Sequence, residues 1–130
     1  MGKYFGIDLG TTYTVVSTID EGTKKPKVLL NKEGNPTTPS VVGCQYGGGY
    51  CIGEEAKNME EAGDVNTASF YKLHMGDHSY KISLCGKNYT AMDLSSMFLK
   101  RLISDVEAKN NVNIEKAVIT VPAYFEEAAR

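Results

Sequence analysis

The sequence has no tryptophan, only two histidines and three cysteines, and no cluster of lysine and arginine. Its 14 basic and 16 acidic residues give a formal charge of −2, so composition offers no basic surface for nucleic acid or an anionic membrane. The chain also lacks an apolar run near the ~20 residues that span a bilayer, and its N-terminus lacks the apolar core and cleavage site of a signal peptide. We therefore predict no nucleic-acid partner and no membrane partner.

The few cysteines and histidines do not form a recognisable metal or redox motif. Cys44, Cys51 and Cys85 are odd in number and none belongs to a CxxC pair. His74 and His78 are four positions apart, but together with Cys85 they would lack a fourth zinc ligand and a supporting partner, so we interpret them as surface histidines. The cysteine pattern favours a reduced, cytoplasmic setting.

The residues that are present suit one globular unit. The chain has 130 residues, of which 42% are hydrophobic and 23% charged, as is ordinary for a soluble domain. No internal repeat, low-complexity tract or linker divides it.

The most informative stretch is residues 6–13, Gly-Ile-Asp-Leu-Gly-Thr-Thr-Tyr. Residues 3–9 predict a buried strand and residues 13–19 a second strand, which places residues 10–12 in the turn between them. Glycine lets a phosphate approach the backbone closely, and the N–H groups and threonine hydroxyls that follow can donate to phosphate oxygens. The 10–12 turn is therefore a candidate phosphate-binding site, and an ordinary hairpin turn is the alternative.

Asp8 lies directly beside this turn. Its carboxylate would repel a bare phosphate, but it suits a hydrated Mg²⁺, which keeps several waters and shares them with nucleotide phosphates. The sequence therefore predicts that Asp8 binds Mg²⁺ through water.

Short apolar or alternating segments predict further strands along the chain. The last of them is a short apolar run, which is typical of a fully buried strand. These strands are predicted at residues 27–30, 80–84, 88–90 and 117–121.

Two helices are predicted between these strands. Residues 53–62 have helix-forming composition with acids in the first turn. The clearest helix follows Thr90, which forms a capping-box pattern with Asp93, and its apolar residues recur every four positions to about Lys109. The glycine triplet at residues 47–49 has no helix behind it, so we interpret it as a hairpin loop rather than a phosphate cradle.

Six motifs follow one another in an order that is typical of one family. The first is the phosphate motif at residues 7–13, and the last is a Val-Pro-Ala-Tyr-Phe signature with a trailing arginine. The motifs are residues 7–13, residues 35–41, residues 52–56, Lys72 four positions before Gly76, residues 89–99 and residues 117–130. Together they cover essentially the whole chain, which resembles the start of a heat shock protein 70 chaperone of the DnaK type.

This resemblance implies an α/β fold of the actin/hexokinase-like (ribonuclease H-like) type, a five-stranded mixed sheet with flanking helices. Residues 1–130 would form an N-terminal fragment of the nucleotide-binding ATPase domain, belonging to the first lobe only. The rest of that lobe, the second lobe and any peptide-binding domain would be absent from it. The implied ligands are ATP or ADP and Mg²⁺.

The resemblance also implies roles for individual residues. Gly10, Thr11, Thr12 and Tyr13 would bind the nucleotide phosphates, and Asp8 would bind Mg²⁺ through water.

Three residues outside the 10–12 turn also receive roles by the resemblance. Lys72 would be catalytic, orienting the attacking water and offsetting developing charge near the γ-phosphate. The alternative is that Lys72 is a solvated charge at a helix end. Pro122 and Arg130 would belong to the relay that reports nucleotide state to the peptide-binding domain.

In the intact protein, the resemblance implies a stress-response chaperone that couples ATP hydrolysis to the binding of unfolded peptides. Its partners would be peptide clients, a J-domain co-chaperone and a nucleotide exchange factor. The stretch between Gly76 and Tyr89 is shorter than in housekeeping chaperones and resembles that of a specialised bacterial branch with a reduced outer subdomain.

Two alternatives come from other classes. An actin-like filament protein or a sugar kinase shares the phosphate motif, but the signature at residues 121–125 argues against both. A non-catalytic fragment is the other alternative. For the isolated chain, we expect weak ATP binding. We also expect self-association through an unpaired sheet edge at residues 117–121.

Overall fold

The structure is a computed structural model that describes residues 4–20, 22–47, 49–70 and 81–120. In chain order its elements are β1 (Phe5–Leu9), β2 (Tyr13–Ile19), β3 (Pro26–Leu29), β4 (Thr38–Pro39), β5 (Val41–Gln45), β6 (Gly49–Ile52), α1 (Gly53–Glu61), β7 (Thr67–Ser69), β8 (Ile82–Leu84), β9 (Lys87–Tyr89), α2 (Ala91–Asn110) and β10 (Ala117–Thr120).

A five-stranded mixed sheet carries the predicted phosphate-binding turn. Its order is β10-β1-β2-β3, with β4 also paired to β2. The pairs among β1, β2, β3 and β4 are antiparallel, whereas β10 runs parallel to β1. In β1 the side chains of Phe5, Ile7 and Leu9 are buried and Asp8 is exposed, because successive residues of a strand face opposite sides. The strand-turn-strand prediction at residues 3–19 is thus confirmed over its described part.

The remaining strands form two smaller sheets. The three-stranded sheet β6-β5-β7 contacts α1, and β8 and β9 form a separate hairpin. The loop between β5 and β6 is a hairpin loop, as predicted, and both Gly47 and Gly49 have positive φ, at 74° and 76°. The predicted hairpin at residues 80–90 is confirmed as β8 and β9 with Cys85 and Gly86 at the turn.

The long helix α2 follows its predicted pattern closely. Thr90 accepts from the N–H of Asp93 while the Asp93 carboxylate accepts from the N–H of Thr90, each at 3.0 Å, which completes the capping box. This contact with the Thr90 N–H lowers the pKa of the exposed Asp93 carboxyl. The residues at four-residue spacing, Leu94, Phe98, Leu102 and Val106, are all at most 1% exposed. They join the sheet residues in one hydrophobic core.

Two expectations about this fold are wrong. The strand at residues 117–121 is predicted to be fully buried, but all four residues of β10 are exposed, and Val118 is 72% exposed. The reason is position, since β10 lies at the end of the sheet path and pairs only with β1 among the described strands. A run of apolar residues cannot by itself distinguish a central strand from an edge strand.

The second correction concerns the cysteines. Cys44 at the end of β5 and Cys85 in the β8–β9 turn form a disulfide, with their Cα atoms 6.0 Å apart. The lack of a CxxC pair predicts reduced cysteines, but spacing within the sequence cannot reveal two cysteines 41 positions apart that meet between two hairpins. Cys51 is free and buried, and burial raises the pKa of its thiol. The cytoplasmic location stays a prediction.

Neither of the helices in the described ranges is long and apolar enough to cross a membrane.

Candidate functional site

The turn between β1 and β2 is closed by its own backbone. The N–H of Gly10 donates to the carbonyl of Tyr13 at 3.2 Å. A Cβ atom at Gly10 would lie 2.4 Å from that same oxygen, closer than real Cβ atoms come to other heavy atoms. Only glycine fits this position without a shift of the turn. Thr12 and Tyr13 are exposed and Thr11 is half-buried, so the turn is open to a ligand.

Ser40 holds the turn from behind. Its hydroxyl donates to the Gly10 carbonyl at 2.8 Å, and its N–H donates to the Thr12 carbonyl at 2.9 Å. The Thr14 hydroxyl lies 2.9 Å from the Ser40 hydroxyl. The sequence motif at residues 35–41 contains Ser40, but its pattern alone gives this residue no role, because the contact spans 30 positions.

Asp8 lies one residue before the end of β1, with an exposed carboxylate. Its Oδ1 atom accepts from the Thr120 hydroxyl at 3.0 Å, across the parallel pair of β1 and β10. This contact orients one oxygen, and a carboxylate has a second oxygen that can accept from metal-bound water. Sequence reasoning missed Thr120, although its register opposite Asp8 follows once β10 is placed beside β1.

The donor set fits a hydrated Mg²⁺ rather than a protein cage. Among the described residues, no group of three or more His, Cys, Asp or Glu side chains is placed to hold a metal ion. A single exposed carboxylate next to the predicted phosphate-binding turn matches the way Mg²⁺ is usually bound, through one or two carboxylates, several waters and nucleotide phosphates.

A cleft of about 210 Å³ opens beside the turn. Its lining includes Thr11 and Thr12 of the turn and Lys57 and Glu60 of α1. The Lys57 ammonium lies 3.4 Å from the Tyr13 hydroxyl and 5.4 Å from the centre of its ring. The hydrogen bond with Tyr13 raises the pKa of Lys57, so this side chain carries a positive charge at the rim of the cleft. Lys57 lies in a helix of ordinary composition, and no sequence pattern distinguishes it.

The structure therefore brings together five of the predicted site residues at one end of the sheet: Asp8, Gly10, Thr11, Thr12 and Tyr13. The other three, Lys72, Pro122 and Arg130, lie outside the described residues, as do His74 and His78. Their roles stay predictions.

A family model described as Hsp70 protein matches residues 4–81 and residues 71–130. The two segments together include the 10–12 turn, the motif with Ser40 and the C-terminal signature. The mixed α/β architecture agrees with part of an actin/hexokinase-like ATPase lobe, which confirms the predicted fold class.

Proposed function

Because this chain belongs to the Hsp70 family, whose members are chaperones with ATPase activity, we propose that it supplies the phosphate- and magnesium-binding part of an ATP-hydrolysing chaperone. The observation that carries the proposal is the glycine turn between β1 and β2, held from behind by Ser40, next to the exposed carboxylate of Asp8. In the intact protein this site would couple ATP binding and hydrolysis to the binding of unfolded peptides.

The described residues would act on the nucleotide by binding and orienting it. The N–H groups and hydroxyls of Thr11 and Thr12 donate to phosphate oxygens, and the fixed backbone needs little rearrangement when they do. Asp8 would accept from metal-bound water, with its Oδ1 atom oriented by Thr120. Mg²⁺, when bound, would neutralise negative charge on the phosphates.

The proposal extends to residues whose placement rests on the sequence alone. Lys72 is the catalytic residue, and Pro122 and Arg130 report nucleotide state to a peptide-binding domain. Residues 1–130 are an N-terminal portion of the nucleotide-binding domain of a cytoplasmic, DnaK-type protein. This protein belongs to the specialised bacterial branch in which the stretch between Gly76 and Tyr89 is short. The intact protein works with a J-domain co-chaperone and a nucleotide exchange factor. The six sequence motifs, which resemble those of DnaK-type chaperones, support the residue roles and the partners.

The test is nucleotide binding and single-turnover hydrolysis by the intact protein, with Asp8→Asn as the variant. Removing the charge should weaken Mg·ATP binding and slow hydrolysis together, because the carboxylate acts in ground state and transition state alike. Asp64→Asn is the control: Asp64 is exposed and accepts from the N–H of Asn66, and an amide oxygen can keep that contact. If both variants bind Mg·ATP and hydrolyse it equally well, Asp8 does not belong to the site.

A further inference from the structure

Ser40 makes four hydrogen bonds from one buried position. It is fully buried, at 0% exposed, and all of its polar groups are engaged. Its N–H and hydroxyl hold two carbonyls of the 10–12 turn, its hydroxyl also contacts Thr14, and its carbonyl accepts from the N–H of Phe70 at 3.0 Å. One residue thus joins the turn to a segment of the chain that is distant in sequence.

The directions of these hydrogen bonds follow from proton counting. A serine hydroxyl has one hydrogen, and Ser40 donates it to the carbonyl of Gly10. In the contact with Thr14 the Ser40 oxygen must therefore accept, and Thr14 donates. Thr14 is itself only 1% exposed, so water does not compete for its proton. The Thr14 donation strengthens the bond from Ser40 to Gly10, because hydrogen bonds in a chain polarise one another.

The bond to the Gly10 carbonyl also fixes a group on the other side of the turn. The carbonyl of Gly10 and the N–H of Thr11 belong to the same planar peptide unit and point in opposite directions when the bond is trans, as it is here. Holding the carbonyl toward Ser40 therefore directs the Thr11 N–H away from Ser40. If the carbonyl were released, this peptide plane could rotate and the donor would lose its direction.

The bond from Phe70 extends the same arrangement. Phe70 follows β7, is fully buried and packs its ring against Phe98 of α2, with 5.2 Å between ring centres. Lys72 comes two residues later in the sequence. Ser40 is thus bonded both to the proposed phosphate-binding turn and to the residue that anchors the chain shortly before the proposed catalytic lysine.

We propose that Ser40 is a positioning residue for the nucleotide phosphates: through its hydroxyl it sets the orientation of the Gly10–Thr11 peptide plane. The inference rests on the proposed function. It assigns Ser40 no contact with the nucleotide, and it predicts an effect that depends on the phosphates and is absent for a ligand without them.

The experiment compares the affinities of the intact protein for ATP and for adenosine, by calorimetry or competition. Ser40→Ala should reduce ATP affinity about tenfold, the equivalent of one hydrogen bond at the upper end of its usual range, and leave adenosine affinity unchanged. Ser95→Ala is the matched control, because Ser95 is a buried serine whose hydroxyl also donates to a backbone carbonyl, that of Ala91, within α2. A general loss of stability would affect both ligands and both variants alike.

A second pair of variants separates the hydroxyls from the packing. Thr14→Val removes the donor to Ser40 but keeps the Ser40 bond to Gly10. It should therefore reduce the ratio of ATP affinity to adenosine affinity less than Ser40→Ala does. The exchange Thr14→Ser/Ser40→Thr keeps both hydroxyls and the total volume, and it should preserve the ratio. If Ser40→Ala does not fold, Thr14→Val decides the matter: a ratio of ATP affinity to adenosine affinity equal to that of Ser95→Ala would overturn the inference.

Two further results would overturn the inference and leave the proposed function standing. One is a ratio of ATP affinity to adenosine affinity that is equal in Ser40→Ala and Ser95→Ala. The other is a tenfold loss of this ratio in an exchange variant that folds. A wild-type protein that shows no preference for ATP over adenosine would instead overturn the proposed function, and the inference with it.

Discussion

The Thr120 hydroxyl donates to Asp8 Oδ1 at 3.0 Å, although the two residues are 112 positions apart in the sequence. They are partners in the parallel register of β1 and β10, so the strand pairing itself brings them together. One strand therefore carries the acid proposed to bind the metal, and its neighbour carries the group that orients that acid.

Thr120→Val should raise the Mg²⁺ concentration needed for half-maximal ATP hydrolysis by severalfold, because valine keeps the shape of threonine and removes the donor to Asp8. Stability should change little, since both residues are exposed. A Mg²⁺ titration of single-turnover hydrolysis measures the effect. Thr120→Ser keeps the hydroxyl and should behave as wild type; a normal titration for Thr120→Val would show that the contact does not matter.

Gly10→Ala should destabilise the protein by about 1–3 kcal/mol and weaken ATP binding, because the added carbon would press on the Tyr13 carbonyl and open the 10–12 turn. Urea unfolding and calorimetry measure the two effects. The control is Gly6→Ala in the same strand pair, where the new carbon would meet only the Ser17 hydroxyl at an ordinary 3.4 Å. If Gly10→Ala is as mild as its control, the turn does not need its glycine.

Lys72→Ala in the intact protein should slow ATP hydrolysis at least a hundredfold, about 3 kcal/mol, while nucleotide affinity changes much less. The physical reason is that a charge acting mainly on the transition state contributes little to ground-state binding. Lys72→Arg should not restore the rate, because a planar fork does not replace a compact point charge. Lys100→Ala, at an exposed position of α2, is the control. Hydrolysis near the wild-type rate in Lys72→Ala would make this lysine a surface charge.

Reduction of the Cys44–Cys85 disulfide should lower the free energy of unfolding by up to about 4 kcal/mol, the chain-entropy value for a loop of this length. Urea unfolding with and without reductant measures the difference. Cys85→Ser should be insensitive to reductant, whereas Cys51→Ala should keep the sensitivity because Cys51 is outside the bridge. Identical curves for the wild type in both conditions would mean that the bridge contributes nothing.

The 130-residue chain alone should self-associate through β10. Val118 and Ile119 are 72% and 44% exposed, and among the described strands only β1 pairs with β10. An exposed apolar edge strand is a template for another chain. Sedimentation at increasing concentration should show dimers or larger species, and Val118→Lys should reduce them. Val65→Lys, at an exposed apolar position in the loop between α1 and β7, should not. A monomer at high concentration would count against this interface.

The parts of this site that could be predicted from the sequence are those set by neighbours in the chain. Alternation fixes the two strands and the turn with Gly10, and the capping pattern at Thr90 fixes the start of α2, because each depends on residues within a few positions. Ser40, Thr120 and the Cys44–Cys85 bridge were missed, because each acts on a partner at least 30 positions away and depends on sheet order. Burial of β10 was misjudged for the same reason.

The separation of Asp8 from Thr120 also sets an order of events during synthesis. The hairpin of β1 and β2 needs only residues near one another, so it can form as soon as its strands leave the ribosome. The parallel pairing with β10 has to wait for more than a hundred further residues, roughly ten seconds of elongation at ordinary rates. For that interval the nascent chain holds the proposed phosphate-binding turn with a carboxylate that nothing from β10 yet orients. The proposed magnesium site is therefore a late product of folding, although it uses one of the first residues made.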